Sequence, residues 1–294
     1  YEKPPREEMT LEEFEVFAVD RLKVLRTIDA LSQKGFKPKE LEAELAEKLC
    51  EIIPCAELVR FGKNGSDATT AAIRLARAYT GREKVAVCGY HGWHDWYIGT
   101  TTRNSGVPAS VRELSAGFTF NDADALKAMF RAEPEGYAAV IVEPMALQAP
   151  APGFLEALRS LCDIYGTLLV FDEIITGFRL DLGGAQKFFG VMPDLAAFGK
   201  AMGNGMPISA IVGRRQYMAL MEEIFFSGTF GGEALSLAAS IATIDKLHKE
   251  DAVQKIAKTG ADLKTGLGLC IDRHSLNQEL AVSGGDWWPA VLPT

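Results

Sequence analysis

The chain has 294 residues, of which 48% are hydrophobic and 24% are charged, and its formal net charge is −8. This length accommodates one large domain and a smaller one, and the composition is that of a globular protein rather than a disordered or membrane-embedded one. The acidic balance argues against a broad nucleic-acid surface, and the charged opening segment, with no long apolar run anywhere, predicts a cytoplasmic chain without a secretory signal or membrane span.

Helical periodicity begins near the amino terminus. Thr10 and Glu13 form a capping-box pattern, and apolar residues then recur at helical spacing. A second amphipathic helix is predicted over residues 39–52. A third is predicted over residues 67–79, where Gly81 is placed to cap the carboxyl end.

Five short apolar runs have the character of buried strands. They are KVAVC (84–88), YAAVIV (137–142), TLLVF (167–171), LAAF (195–198) and ISAIV (208–212). An amphipathic helical segment, GFLEALRSLCDIYG, separates the second run from the third. Strands of this type separated by helices predict an α/β fold in which a parallel sheet is covered on both faces.

Three polar residues follow these strands, at the edge where ligands collect in parallel sheets. Glu143 comes directly after the second strand, Asp172 after the third, and Lys200 two residues after the fourth. A lysine partly removed from water has a lowered pKa, so that its amine can act as nucleophile and proton carrier. A surface lysine and a capping or ion-paired aspartate are the alternative interpretations of Lys200 and Asp172.

Two further stretches contain site candidates. GKNGSDATTAAIRLA places Gly65 and Ser66 at a helix start, where free backbone amides bind anions, although a simple helix cap explains the same residues. In GYHGWHDWY, the Tyr90 ring can stack on a flat ligand, with ordinary aromatic packing as the alternative. His91 and His94 have no cysteines or carboxylates clustered around them, so no metal site is predicted.

Six motifs occur in the order and spacing of a known family. They are NGSDATTAAIRLARAYTGREKV, YHGWHD, VIVEPM, GFLEALRSLCDIYGTLLVFDEIITGFR, DLAAFGKAMGNGMP and FFSGTFGGEALSLAA. Through them residues 41–290 resemble the class III aminotransferases, most of all the branch similar to glutamate-1-semialdehyde aminomutase. The resemblance implies pyridoxal 5′-phosphate as cofactor and the aspartate aminotransferase-type fold (fold type I), a mostly parallel sheet flanked by helices. It also implies a homodimer with active sites at the subunit interface.

The resemblance further implies roles for individual residues. Lys200 and Asp172 are the implied catalytic pair, in which Lys200 forms the Schiff base with the cofactor and Asp172 pairs with its pyridine nitrogen. Ile174 and Tyr90 are implied to pack on opposite faces of the cofactor ring.

The remaining implied cofactor-binding residues surround the ring and its phosphate. Glu143 is implied to lie near the ring, with His91 as a supporting residue. Gly65 and Ser66 are implied to bind the phosphate. Thr229, in the glycine-rich stretch SGTFGGE, is implied to reach the phosphate of the partner subunit's cofactor, and a plain turn is the alternative there.

The chain departs from the family pattern at its phosphate loop and its ends. Asn64 and Asp67 replace a more usual serine and glutamate. Residues 1–40 are similar instead to the opening of the eukaryotic DNA primase large subunit, which suggests a segment foreign to the rest. The predicted organisation is therefore a helical segment over 1–40, a cofactor-binding large domain over 41–247, and the start of a truncated small domain over 248–294.

The implied function is the transfer of an amino group from a small-molecule donor to an aldehyde or keto acceptor through Lys200. One alternative is a non-catalytic interaction or replication-related protein that acts through its N-terminal helix. Another is a cofactor-binding fold that is inactive because its ends are missing. The substrate is not assigned, because Arg103, Arg112 and Arg179 are each as typical of a surface as of a carboxylate site.

Overall fold

The computed structural model describes residues 38–294. Its strands are β1 Leu58–Gly62, β2 Lys84–Cys88, β3 Ser115–Gly117, β4 Tyr137–Val142, β5 Leu168–Asp172, β6 Leu195–Phe198, β7 Ser209–Gly213, β8 Leu280–Ser283 and β9 Ala290–Pro293. Its α-helices are α1 Pro38–Ile52, α2 Gly65–Thr80, α3 Asp95–Ile98, α4 Ala109–Arg112, α5 Ala123–Ala132, α6 Phe154–Tyr165, α7 Gly184–Phe189, α8 Arg215–Met218, α9 Ala234–Lys249 and α10 Ala252–Arg273. Short 3₁₀ turns cover Lys200–Met202 and Ala219–Glu222. The helix predicted after Thr10 lies outside the described residues.

Seven strands form one sheet in the order β1-β7-β6-β5-β4-β2-β3. The run from β6 to β3 is parallel, whereas β7 is antiparallel to both β6 and β1. The prediction of a mostly parallel sheet is confirmed, but placing ISAIV among its parallel strands is wrong. The connection from Phe198 to Ser209 holds no α-helix and is shorter than the dozen or so residues that a parallel crossover needs.

Helices cover both faces of this sheet. α1, α5, α6 and α9 pack on one face, while α2 and α8 pack on the other. Because successive side chains of a strand point to opposite faces, Val140 and Val142 of β4 join the first cluster and Ile141 joins the second. Each of these side chains is fully buried, which contributes about 1.5–3 kcal/mol apiece. This double burial explains why β4 is apolar throughout.

The central sheet is followed by α10 and the β8–β9 hairpin. Lys264 of α10 donates to the Gly284 carbonyl at 2.9 Å and lies 3.1 Å from Asp286 Oδ1. The backbones meet closely at Gly260, where an added Cβ would lie 1.6 Å from the Asp286 carbonyl oxygen. A glycine at this position therefore lets the hairpin lie against the helix. The domain boundaries expected from the sequence stay predictions.

None of the helices in residues 38–294 combines the length and apolar character that crossing a bilayer requires. The cytoplasmic location expected from the sequence stays a prediction.

The contact at Gly260 can be tested with a matched substitution on the same helix. We expect Gly260→Ala to lower the free energy of unfolding by about 1–3 kcal/mol, because the methyl group forces the hairpin away. Gly266→Ala is the control, since an added Cβ there meets no described atom within 4 Å. It should raise stability by up to about 1 kcal/mol through helix propensity. Urea unfolding followed by tryptophan fluorescence measures both, and equal effects would contradict the contact.

Candidate active site

An open cavity of about 660 Å³ lies at the carboxyl ends of β2, β4, β5 and β6. Its lining residues come from five chain segments: Lys63, Asn64, Gly65, Ser66, Thr69, Tyr90, His91, Gly92, Trp93, Glu143, Asp172, Ile174, Ile175, Lys200, Gly205, Met206, Pro207 and Ile208. They include every predicted site residue except Thr229. Lys200 and Asp172 therefore share one cavity, as expected for residues that follow neighbouring parallel strands at the same edge of the sheet.

Asp172 is the last residue of β5 and is only 4% exposed. Its Oδ1 accepts a hydrogen bond from the Ile174 backbone N–H at 3.2 Å, and its Oδ2 lies 2.9 Å from His91 Nδ1. These two contacts fix the plane of the carboxylate at the cavity wall. A fixed anion in a poorly hydrated position attracts a cationic group bound in the cavity.

Glu173, the next residue, is fully buried and faces into the protein. Its carboxylate accepts from the backbone N–H groups of Ala185 at 2.7 Å and Gln186 at 3.0 Å, and from the Thr176 hydroxyl. Burial raises the pKa of Glu173. Gly184 has φ +80°, and a Cβ there would lie 2.6 Å from the carboxylate. Glu173 thus anchors the chain that leaves β5, and the sequence analysis missed it.

Ile174 supplies a fixed apolar surface beside Asp172. Its side chain is 8% exposed, and the backbones of two glycines distant in the sequence, Gly65 and Gly199, lie close to it in space. A Cβ added at Gly65 would lie 3.2 Å from Ile174 Cδ1, and one added at Gly199 would lie 3.1 Å from the same atom. Both backbones therefore approach this side chain so closely that a larger residue at either position would require Ile174 to shift by a few tenths of an ångström.

Lys200 begins the 3₁₀ turn that follows β6 and has φ +42°. A non-glycine residue in this left-handed region costs about 1–3 kcal/mol, so the surrounding structure must hold it there. The side chain is exposed to the cavity, yet nearby protein atoms desolvate it enough to lower its pKa. Asp172 opposes this shift, Arg179 adds to it, and Glu143 opposes it weakly.

A second lysine lines the same cavity, but its amine is already engaged. Lys63 Nζ lies 3.0 Å from Glu233 Oε1 and 3.4 Å from Ser236 Oγ. Among the described residues, Lys200 has no carboxylate oxygen within the 4.0 Å of an ion pair. The free amine of the cavity is therefore that of Lys200.

The amino end of α2 forms one wall of the cavity. Asn64 caps the helix, and its Oδ1 accepts from the Asp67 backbone N–H at 3.2 Å. The Asp67 carboxylate in turn accepts from the backbone N–H groups of Asn64 at 3.0 Å and Lys63 at 2.9 Å. This capping box leaves the next two amides, those of Gly65 and Ser66, at the positive end of the helix dipole. The two departures from the family pattern thus form an intact helix start.

The loop after β2 closes over this helix end. An added Cβ at Gly92, which has φ +101°, would lie 2.3 Å from Ser66 Oγ. The Tyr90 backbone N–H donates to Glu143 Oε2 at 2.7 Å, and burial raises the pKa of Glu143. The Tyr90 side chain is 57% exposed and meets the Tyr97 ring edge-on. The backbone of Tyr90 is therefore fixed, while its ring is free to contact a ligand.

Thr229 stands apart from this cavity. It lies in the exposed loop between the second 3₁₀ turn and α9, and it is not a lining residue. Its implied role in a partner subunit's site stays a prediction.

Several lining residues escaped the sequence analysis, namely Lys63, Thr69, Gly92, Trp93, Ile175, Met206, Pro207 and Ile208. Most of them are chain neighbours of predicted residues, and that adjacency is the signal that could have found them. Within residues 38–294, no group of three or more His, Cys, Asp or Glu side chains is arranged to hold a metal ion.

Comparison with known protein sequences identifies related proteins. The family described as "Aminotransferase class-III" matches residues 23–284. The 3-aminobutyryl-CoA aminotransferase of Cloacimonas acidaminovorans (strain Evry) is 40% identical over 274 residues, which cover 90% of this chain and 65% of the relative. The glutamate-1-semialdehyde 2,1-aminomutase of Syntrophobacter fumaroxidans is 40% identical over 265 residues, with 83% and 61% covered. The chain therefore spans slightly less than two thirds of the length of these relatives.

Solved structures show the same fold. The PLP internal aldimine form of the Sphingopyxis sp. MTA144 FumI protein superposes with a TM-score of 0.84 and 32% identity, covering 92% of this chain and 67% of that one. An omega-transaminase from Sphaerobacter thermophilus gives a TM-score of 0.80 and 29% identity, with 90% and 66% covered. The predicted fold type I is thus confirmed. The comparisons do not show the likeness of residues 1–40 to the primase large subunit, and residues 1–37 lie outside the described residues.

The charges around Lys200 predict opposite responses to two substitutions. Asp172→Asn removes a charge that raises the pKa of Lys200, so the amine should react at lower pH. Arg179→Met removes a charge that lowers this pKa, so the amine should need higher pH. The measurement is the pH dependence of Lys200 acetylation by a limiting amount of acetic anhydride, quantified by peptide mass spectrometry without added cofactor. Shifts in the same direction, with both variants folded by circular dichroism, would contradict the assignment.

Proposed function

The chain belongs to the class III aminotransferase family, and from this premise we propose that it binds pyridoxal phosphate and transfers amino groups. The donor is a small amine, and the acceptor is an aldehyde or a keto compound. One observation carries the proposal: the free, partly desolvated amine of Lys200 and the anchored carboxylate of Asp172 face the same cavity.

The residues present fit this cofactor. Gly65 and Ser66 offer backbone amides at a helix end, which suits a phosphate group. Asp172 suits a protonated ring nitrogen, and Ile174 offers an apolar surface to the ring. Lys200 supplies the amine that attaches to the cofactor's aldehyde carbon. When bound, the cofactor supplies an electron sink for the charge released as the substrate loses a proton.

Each protein group then has a defined task. The Asp172 carboxylate would hold a proton on the cofactor's ring nitrogen, since a charge pair at about 4 Å and an effective dielectric of about 20 is worth roughly 4 kcal/mol. Ile174 and Tyr90, which both line the cavity, would contact the cofactor's ring and exclude water from it. The lowered pKa of Lys200 would let its amine take up and return a proton at the carbon of a substrate bound beside it.

The names of the relatives suggest which substrates to test first. One relative is named for 3-aminobutyryl-CoA and another for glutamate-1-semialdehyde. We propose that the chain acts on a compound of one of these two classes: a 3-amino acyl thioester, which gives up its amino group to a keto or aldehyde acceptor, or a small amino semialdehyde, which carries both an amino group and an aldehyde. Turnover of one compound and not the other by the purified protein with added cofactor would separate the two classes. Turnover of neither, despite cofactor binding, would favour the alternative of an inactive cofactor fold.

The two lysines of the cavity allow a direct test of cofactor attachment. We expect pyridoxal phosphate to give a visible absorbance band, and borohydride reduction should fix it on the peptide that contains Lys200. Lys63→Ala should keep this attachment, because Lys63 Nζ is held by Glu233. Lys200→Ala should lose it. Spectra and peptide mass spectrometry measure both, and a folded wild-type chain that takes up no cofactor would refute the proposed function.

The surface beside the cavity supports a homodimer. Tyr90 and Trp93 at the cavity are 57% and 69% exposed, while Phe225 and Phe230 flank Thr229 at 81% and 66%. Lys63 lines both this cavity and a smaller one of about 210 Å³ that Phe225 also lines. The loop that carries Tyr90 and Trp93 therefore lies close to the loop that carries Phe225 and Phe230. Large apolar side chains clustered on a surface are typical of an interface. We propose that a second copy covers them and that Thr229 reaches the partner's cavity.

The dimer can be tested by its mass in solution. Light scattering after size exclusion should give about twice the chain mass of 31.9 kDa. Phe225→Asp should shift the protein toward the monomer, because a buried charge at an interface is costly. Ile164→Asp is the control, since Ile164 of α6 is 74% exposed and belongs to neither loop. A monomeric wild-type protein at micromolar concentration, or equal effects of the two variants, would contradict this proposal.

A further inference from the structure

The chain segment 224–233 lies beside the first half of α2 and carries exposed residues of the proposed dimer interface. Ile224 and Phe226 pack against the buried cluster that α2 helps to form, whereas Phe225 between them is 81% exposed. An added Cβ at Gly62 of β1 would lie 3.3 Å from Phe226 Cζ. The direction in which Phe225 points therefore depends on how this segment is seated.

Two polar contacts tie the segment 224–233 to α2, one near each end. The Arg74 guanidinium of α2 donates to the Phe225 carbonyl. Lys63 Nζ, just before the helix, lies 3.0 Å from Glu233 Oε1. Residues of both the helix and the segment line the cavity of about 210 Å³, so this cavity lies between them. Because the segment borders a cavity between its ends, its shape depends on the two ties.

The contact between Lys63 and Glu233 belongs to a small network at the start of α9. The Glu233 carboxylate accepts from the backbone N–H groups of Leu235 at 2.9 Å and Ser236 at 3.0 Å, so it also caps α9. Burial alone would raise the pKa of Glu233, but hydrogen bonds from Ser236 and Lys63 outweigh it and lower the pKa. Glu233 is therefore charged at neutral pH, and one carboxylate joins α9 to the chain that enters α2.

The pair is partly shielded from water, since the side chains of Lys63 and Glu233 are 19% and 32% exposed. Salt screens such a pair less than a fully exposed one, and removing one partner leaves the other charge poorly compensated. A second ion pair, Lys48 with Asp245, joins α1 to the same helix α9, but its aspartate is 57% exposed. This second pair is a natural comparison for the first.

The tie between Lys63 and Glu233 connects two parts of the proposed dimer site. Lys63 lies two residues before Gly65, whose backbone amide, together with that of Ser66, suits a phosphate group. Glu233 ends the segment that carries Thr229. One ion pair thus joins the phosphate end of one copy's cavity to the loop that is proposed to reach the other copy's cavity.

We propose that Lys63 and Glu233 are positioning residues whose ion pair seats the segment 224–233 for contact with a second copy and thereby supports phosphate binding in both cavities. Neither side chain needs to touch the phosphate in this role. The effect on phosphate rests on the proposed function and the proposed dimer. The seating of the segment is a property of the single chain, so the two are tested separately.

The seating is tested by hydrogen exchange of the full chain, at a protein concentration that keeps every variant in the same oligomeric state. The Glu233 amide donates to the Phe230 carbonyl at 3.3 Å, so peptides that cover it report on the segment. We expect Lys63→Met to speed their exchange by about fivefold or more. Lys48→Met, which breaks the exposed pair on α9, is the control and should leave it unchanged. Unchanged exchange in Lys63→Met, or equal changes in both variants, would overturn the proposal.

Positioning is separated from a direct charge effect on the phosphate by the sign of one substitution. Lys63→Met leaves the Glu233 cap of α9 in place, and Glu233→Gln keeps an oxygen acceptor for that cap but removes its charge. If the Lys63 charge attracted the phosphate directly, Glu233→Gln would strengthen the binding of pyridoxal phosphate. A positioning pair predicts that each variant weakens this binding by about fivefold, and that the double variant binds no more weakly than either.

Equilibrium titration measures these affinities, and pyridoxal, which has no phosphate group, is the matched ligand. Its affinity should change by less than about twofold in the same variants. Sedimentation should show the dimer dissociation constant rising by about fivefold in Lys63→Met and Glu233→Gln, but not in Lys48→Met. In Lys63→Met, attachment of the cofactor to Lys200 should persist when the cofactor is in excess.

The outcomes separate the claims. Opposite effects of Lys63→Met and Glu233→Gln on pyridoxal phosphate affinity, or additive losses in the double variant, would contradict the positioning role. If Lys63→Met does not fold by circular dichroism, Glu233→Gln repeats the exchange test. If the wild-type chain takes up no cofactor, the proposed function fails, while hydrogen exchange still decides the seating. A monomeric wild-type chain would remove the contact with a second copy.

Discussion

The feature on which the rest of the site depends is the Asp172 carboxylate, which two hydrogen-bonding contacts fix at the cavity wall. Removing a carboxylate from water is unfavourable unless hydrogen bonds or an opposite charge compensate. The described chain supplies the hydrogen bonds, from the Ile174 backbone and the His91 ring, but no lysine or arginine contacts this carboxylate. A cationic group bound in the cavity can reach this carboxylate and compensate its charge.

The backbone gives two adjacent carboxylates different tasks. Successive side chains at the end of β5 point in opposite directions, so Asp172 faces the cavity while Glu173 faces the protein. Glu173 is satisfied by the amides that begin α7 and by Thr176. It thereby ties down the chain that carries Ile174. The rigidity of the cavity wall comes from a carboxylate that never touches the cavity.

The sequence was sufficient for the features that depend on local pattern, and insufficient for those that depend on distant contacts. Continuous apolar runs located β2, β4, β5 and β6, and parallel strands bring their carboxyl ends together, so Glu143, Asp172 and Lys200 could be placed at one edge. β1 escaped because Arg60 interrupts its apolar pattern. The contact between His91 and Asp172 spans 81 positions of the chain, and no periodicity reports a pairing at that distance.

Asp172 also couples Lys200 to the ring nitrogen of the cofactor in the proposed site. In the protein alone, the charge of Asp172 raises the pKa of Lys200, while desolvation and Arg179 lower it. A protonated ring nitrogen beside Asp172 would make that pair neutral overall and cancel most of its attraction for an ammonium group. Desolvation and Arg179 would then act with less opposition, and the pKa of Lys200 would fall further. Binding of the ring would thus help to prepare the amine that must react with it.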